Sequence, residues 1–192
     1  VSGGTYHTAV IKTDGTLWAW GFNLHGQVGD NTTVFRSSPV QTIGGTTWKQ
    51  VACGWYHTAA IKTDGSLWTW GDNAFGQLGN GTVSIYYSSP IQVGSLTSWK
   101  QVILSNGSSA YAIKTDGTLW SWGYNPFGQL GLGYTNYYSS PKQVGALTNW
   151  SSVSCGYAHT VSIKTDGTLW SWGQNAQGQL GLGNTTYYSS PK

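Results

Sequence analysis

Three histidines stand at one phase of a recurring phrase: His7 in GTYHT, His57 in GWYHT and His159 in GYAHT. Recurring imidazoles suggest either a metal centre or acid–base work. A metal site draws several ligands together, usually at short spacing. These three lie 50 and 102 residues apart, one per repeat. In an extended segment His57 shares a face with Ala59 and Ile61. The expectation is therefore a buried ring bonded to backbone across a structural unit. His25 stands alone in a glycine-rich loop and reads as solvent-facing. All acids are aspartates, six in number. Asp14, Asp64, Asp116 and Asp166 each precede a glycine, where turn geometry explains them. Only Asp30 and Asp72 remain, and a glycosidase-like pair would have to come from these two. No serine stands in a nucleophile elbow, and no phosphate-binding loop is present. Cys53 in VACG and Cys155 in VSCG occupy equivalent places 102 residues apart, which predicts buried free thiols on different units. No catalytic residue, metal ligand or cofactor is assigned, and the chain reads as a non-enzyme.

Charge narrows the partners. Charged residues make up 8% of the chain, against about 25% in ordinary soluble domains. The net charge of +3 is spread over single lysines, and Arg36 is the only arginine. Nucleic acid and anionic membrane surfaces need clustered cations, so neither is expected as a partner. No apolar run approaches the ~18 residues of a membrane-spanning helix. Polarity comes instead from Ser, Thr, Asn, Gln and Gly, a balance that suits an extracellular, cell-surface or virion setting. The absence of methionine suggests a processed product or a piece of something longer.

The elements that position these residues repeat. Asp14, Asp64, Asp116 and Asp166 are spaced 50, 52 and 50; Pro39, Pro90, Pro141 and Pro191 are spaced 51, 51 and 50. The chain divides into repeats 1–50, 51–101, 102–152 and an incomplete 153–192, read as one region, 1–192. Each repeat offers four short strands. HTAAIKT and LWTWG flank Asp64-Gly65, which predicts a hairpin with a two-residue type I′ turn. SPIQVG supplies a third strand with Pro90 at its start, and WKQVACG a fourth. Four strands per ~50 residues is the arithmetic of a β-propeller blade.

Eight of the twelve tryptophans sit in the phrase that follows the Asp-Gly turn: Trp18, Trp20, Trp68, Trp70, Trp120, Trp122, Trp170 and Trp172. Strand alternation puts both tryptophans of a pair on one face and the small residues Ala19, Thr69, Ser121 or Ser171 on the other. A bulky face against a small one fills the space between blades. These tryptophans, the hairpin aspartates and the recurring histidines are thus assigned structural roles.

CGWYHTAAIKTDGSLWTWGDNAFGQLG and its three siblings resemble repeats of the regulator of chromosome condensation family. The shared pattern is G-x-x-H-[TS], a D-G hairpin, W-G, N-x-x-G-Q-L-G and a later Pro. Unit three departs, with one extra residue and Ser108 or Ser109 near the histidine's place; Val28 replaces Leu in unit one. The few charges and the W-[AST]-W-G dialect look like bacterial or phage members. The resemblance implies an all-β propeller, usually of seven blades, so the four repeats are expected to form part of a larger ring or a partial ring that assembles. A four-blade ring would need the first and last strands to share one blade. Ultraviolet-sensing relatives carry G-W-R-H-T motifs, of which Trp55 alone recurs here, without the arginine. The exchange-factor role of the founding member depends on loops that this chain does not match. Both rank below a binding scaffold.

The remaining candidates are VFRSSP, IYYSSP, NYYSSP and TYYSSP. Phe35, Arg36, Tyr86, Tyr87, Tyr137, Tyr138, Tyr187 and Tyr188 stand at loop-to-strand junctions. One ring of each pair is expected inward and one outward, forming a surface for a protein or glycan partner. An enzyme inhibitor or regulator is the alternative reading, and open blade edges offer a route to self-association.

Overall fold

The computed structural model describes residues 1–192 and is all-β, with fifteen strands and no helix. They form four antiparallel sheets in simple meander order. Blade 1 holds β1 (Ser2–Gly3), β2 (His7–Ile11), β3 (Leu17–Gly21) and β4 (Arg36–Gln41). Blade 2 holds β5 (Trp48–Cys53), β6 (His57–Lys62), β7 (Leu67–Asp72) and β8 (Tyr86–Gln92). Blade 3 holds β9 (Trp99–Leu104), β10 (Ser109–Lys114), β11 (Leu119–Gly123) and β12 (Tyr138–Gln143). Blade 4 holds β13 (Trp150–Cys155), β14 (His159–Lys164) and β15 (Leu169–Gly173). Its outermost segment is reduced to a bridge between Gly173 and Tyr188, extended by paired Ser171 and Lys192 backbone bonds. The first strands, β1, β5, β9 and β13, approach one another at the inner edge.

The tryptophan phrase makes the joints between blades. Leu17 and Ala19 of blade 1 meet Trp48, Ala60, Trp68 and Trp70 of blade 2. Leu67 and Ala59 meet Trp99, Trp120 and Trp122, and Leu119 and Ile113 meet Trp150, Trp170 and Trp172. Burying an aromatic ring contributes roughly 1.5–3 kcal/mol, so each joint gains several such increments. A direct bond fixes the register: indole Nε1 of Trp70, Trp122 and Trp172 donates to the backbone carbonyl of Gln27, Gln77 and Gln129 in the preceding blade. Each glycine two residues on, Gly29, Gly79 and Gly131, adopts positive φ and lies directly against that indole. A methyl group there would stand 2.6–2.7 Å from the indole nitrogen.

The hairpins differ from the expected type I′ form. Only the glycines Gly15, Gly65, Gly117 and Gly167 have positive φ; the aspartates do not. The Gly15 N–H donates to the Lys12 carbonyl and the Lys12 N–H to the Thr16 carbonyl, giving a three-residue loop that ends in a left-handed glycine. The aspartate is freed for another task. Asp14 Oδ1 accepts from both the Thr16 N–H and hydroxyl, while Thr16 Oγ1 accepts from Trp18 Nε1. Asp64–Ser66–Trp68, Asp116–Thr118–Trp120 and Asp166–Thr168–Trp170 repeat the relay.

Pro90 is also displaced from its expected place. The strand begins earlier, at Tyr86, and the proline lies inside it. It is tolerated because the pairing of β7 with β8 slips between Thr69 and Gly71, on an outer strand with no further neighbour. The shared blade required for a four-blade ring does not form. β1 pairs with β2 inside blade 1, and the Tyr188–Lys192 segment pairs inside blade 4.

Candidate functional site

Meander order sends the turn between the first and second strands, and the loop between the third and fourth, to one face of every blade. The Asp-Gly hairpins occupy the opposite face. The two loop types are tied together: the Phe22 N–H donates to the Tyr6 carbonyl, and the Asp72 N–H to that of Tyr56. The longer loop is built around a fully buried asparagine. Asn23 Oδ1 accepts from the Val28 N–H, while Nδ2 donates to the carbonyls of Thr32 and Val34. Asn73, Asn125 and Asn175 are buried likewise. A loop organised by its own buried amide holds its surface residues in place without a partner.

Aromatic rings gather on this face at the first joint. Tyr6 stacks on Tyr56 (ring centroids 5.6 Å, 15° between planes), and Tyr56 on Trp55 (5.0 Å, 17°). Phe22 touches Tyr6, Tyr56 and Phe35; His25 lies 4.8 Å from Tyr56; and Trp55 reaches Tyr157 of blade 4, edge to face. Seven rings thus run continuously from blade 1 to blade 4. Tyr6 and Tyr157 are each 52% exposed and Phe35 is 54% exposed, so the stack is a surface, not a core. The second joint has a smaller cluster of Phe75, Tyr124 and Tyr137, and the third a Phe127–Tyr187 contact.

The polar groups of the patch are held by neighbours. Asp72 accepts from Gln77 Nε2 at 2.6 Å and faces His25 Nδ1 at 3.8 Å. Burial raises its pKa against the opposing pull of His25. Asp30 accepts from Arg36 Nε at 2.6 Å and from the Thr32 hydroxyl. Burial pushes the Asp30 carboxyl up, but the Thr32 and Arg36 bonds outweigh it and its pKa is lowered. His25 therefore packs within the patch instead of pointing freely to solvent, and Arg36 is engaged inside its own loop.

The eight junction residues separate by depth. Phe35, Tyr86, Tyr137 and Tyr187 are exposed, while Arg36, Tyr87, Tyr138 and Tyr188 are half-buried. Tyr138 and Tyr188 pack on the joints. Sequence reasoning misses most of the main cluster: it does not group Tyr6, Phe22, His25, Tyr56 and Tyr157, and it connects Trp55 only with light sensing. The usable signal was their phase, since all occupy the two loop types that antiparallel order sends to one side.

The recurring histidines lie beneath this face. His7 Nε2 bonds the Thr58 hydroxyl of the next blade at 2.8 Å, a side-chain partner where backbone was expected. Neither ring nitrogen of His57 has a partner. Ser109 takes the histidine's place in blade 3, opposite Gly123 as His57 is opposite Gly71. Burial lowers the pKa of His7 to about 4 and of His57 to about 3. At the inner edge, a cavity of about 360 Å³ is lined by Val1, Gln50, Cys53, Val102, Leu104 and Cys155 among others, with no carboxylate or imidazole. The two cysteines are free, and burial pushes both thiols up to about 12, leaving them protonated and unreactive.

Meander blades joined by tryptophan, with loops presenting rings on one side, define propeller blades. The RCC1-like domain model matches residues 1–192, and the chain belongs to that family. It is 34% identical to the ultraviolet-B receptor UVR8 of Arabidopsis thaliana, over 84% of this chain and 38% of the relative. It is 30% identical to the human E3 ubiquitin-protein ligase HERC2, over 83% of this chain and 3% of that protein. Among solved structures, human WBSCR16 superposes with a TM-score of 0.86 at 24% identity, covering 99% of this chain and 51% of that one. Yeast RCC1 (Prp20), solved bound to Kap60, gives 0.85 at 22%, covering 98% and 46%. The chain thus spans about half, or less, of the proteins it resembles.

Proposed function

We propose that the chain is a non-enzymatic binding scaffold whose aromatic face takes a protein partner, with Tyr6, Trp55, Tyr56 and Tyr157 as anchors. One observation carries this reading: seven rings from three blades form a continuous, partly exposed cluster, in which Phe22, His25 and Phe35 belong to the loop pinned by the buried Asn23 and Tyr6, Trp55, Tyr56 and Tyr157 to the neighbouring turns. Tyrosine and tryptophan dominate protein interfaces because they bury much area at little entropic cost. Stiff loops lower that cost further. Kap60 in the yeast RCC1 complex shows that a propeller of this fold can carry a protein partner, which supports the reading by analogy.

The test selects binders from a displayed library of folded proteins against the native chain, then measures affinity for variants. Trp55→Ala and Tyr56→Ala are expected to weaken binding tenfold or more, whereas Asp64→Asn on the opposite face leaves it unchanged. Binders that ignore both aromatic substitutions would refute the assignment. A soluble glycan that quenches Trp55 fluorescence and competes for the face would move the partner class from protein to carbohydrate.

A further inference from the structure

The blade joints repeat the same residues, yet they do not all close completely. At the joint of blades 2 and 3 a cavity of about 290 Å³ opens, walled by Val93, Leu96, Trp99, Lys114, Trp120 and Pro141 among others. Every residue that lines it falls between Gly79 and Pro141, in the interior of the chain. None of the seven clustered rings belongs to it. The joint of blades 3 and 4 repeats the cavity at about 320 Å³, with Val144, Leu147, Trp150, Trp170 and Pro191 in the equivalent places. At the first joint Ile43 stands where Gly94 and Gly145 stand, and no cavity forms. Gly94 and Gly145 turn with φ of +61° and +62°, and a methyl on either would meet nothing within 4 Å.

The two cavities differ in charge. Lys114 is 8% exposed and lines the first of them. Its ammonium makes no hydrogen bond or ion pair within the chain, and rests over the rings of Trp120 at 3.7 Å and Trp99 at 4.9 Å. The acid two residues on, Asp116, accepts instead from the Thr118 N–H and hydroxyl. Two indole faces offset part of the cost of burying a cation, but a charge this buried ordinarily has a hydrogen-bonded anion. Lys164 sits over Trp170 and Trp150 in the same way, yet it is not part of the second cavity's wall. The unpaired indole N–H of Trp99 does not discriminate, because Trp48 at the closed first joint is unpaired as well.

We propose that the cavity between blades 2 and 3 binds a small carboxylate with an apolar or aromatic body. The carboxylate pairs with the Lys114 ammonium and accepts from the Ser140 hydroxyl on the same wall. The body packs against Val93, Leu96, Pro141 and the indoles. The volume stands at the small end of ligand sites, roughly 300–1,000 Å³, which limits the guest to one ring and a short chain. This site is separate from the aromatic face and does not depend on the partner proposed there.

The probe is 3-phenylpropionate, followed by calorimetry and by the indole N–H resonances of Trp99 and Trp120. Saturable binding that moves those two resonances is expected, with the uncharged 3-phenylpropan-1-ol about tenfold weaker or worse. Lys114→Met keeps the stem over the rings and removes the charge, and should weaken the acid about tenfold or more. Lys164→Met makes the same change outside the cavity and should keep the wild-type affinity, which separates lost packing from a lost anion partner. Leu96→Ser, at a half-exposed site, should cost about threefold and serves if Lys114→Met does not fold. No binding, equal affinity for acid and alcohol, or unchanged affinity in a folded Lys114→Met would overturn the proposal. So would a probe that shifts Trp55 in place of Trp99 and Trp120.

Discussion

Trp122 donates its indole proton to the Gln77 carbonyl at 2.9 Å, and that carbonyl has no other partner. The third joint differs at this point: the Gln129 carbonyl accepts from Trp172, Thr160 and Tyr111. Replacing either indole by phenyl removes a similar bond but leaves different remainders. Trp122→Phe strands a buried acceptor, which costs about 1–3 kcal/mol beyond lost packing. Trp172→Phe leaves Gln129 satisfied twice over. Urea denaturation should therefore show a clearly larger loss for Trp122→Phe. Equal losses would mean that packing alone holds the joints.

The hairpin relay makes a second prediction. Thr118 is the middle member between Asp116 and Trp120, and blade 2 performs the same task with Ser66. Thr118→Ser should be close to neutral, since the hydroxyl is what the relay uses. Thr118→Val keeps the shape but unpairs Trp120 Nε1, with an expected loss of about 1–2 kcal/mol. Thermal melts that rank the two substitutions the other way would remove the relay from the account.

The blades were legible because their signals are local. Strand alternation put Trp68 and Trp70 on one face, and proline and Asp-Gly recurrence set the period. The turn was misread because Asp-Gly is consistent with two hairpin types, and only the backbone bonds of Lys12 distinguish them. The aromatic face was not legible by repetition. Tyr6 and Phe22 of the first repeat and Trp55 of the second stand at three different phases, and they meet only once sheet order fixes which loops share a side. The lysines of IKTDG were missed for a related reason. Lys62, Lys114 and Lys164 each lie over a pair of tryptophans, one from the phrase and one from the motif W-K-Q, or its counterpart W-S-S, in the first strand of the same blade. That cation–π pairing joins residues from distant parts of the repeat.

Ultraviolet-B irradiation should leave the mass of the chain in solution unchanged. The joint tryptophans are buried against backbone carbonyls, and the only arginine, Arg36, is bonded to Asp30. No arginine stands beside Trp55 to couple excitation of that ring to assembly. Light scattering before and after illumination checks this, and a reversible change in mass would reopen a light-sensing role.

Acid should weaken the fold well before the aspartates titrate. Burial lowers the pKa of His7 to about 4 and of His57 to about 3, from 6.5. Below 6.5 the unfolded chain takes up protons that the native chain refuses, so stability drains as pH falls. The loss is complete near 4 for His7 and near 3 for His57. Within that window each pH unit removes up to about 1.4 kcal/mol per histidine. Asp72 acts in the opposite sense: burial raises its pKa above 3.8, so it binds a proton more readily when folded and slightly offsets the loss. The hairpin aspartates have lowered values, and their contribution is lost only below the ordinary carboxylate value of 3.8. Urea midpoints measured from neutral pH down to about 4.5 should therefore fall steadily, and His57→Gln should flatten the slope. A flat wild-type profile across that range would mean that the rings are not held neutral by burial. His7→Gln gives an independent check, because it removes one titrating ring together with its bond to Thr58 and leaves His57 in place.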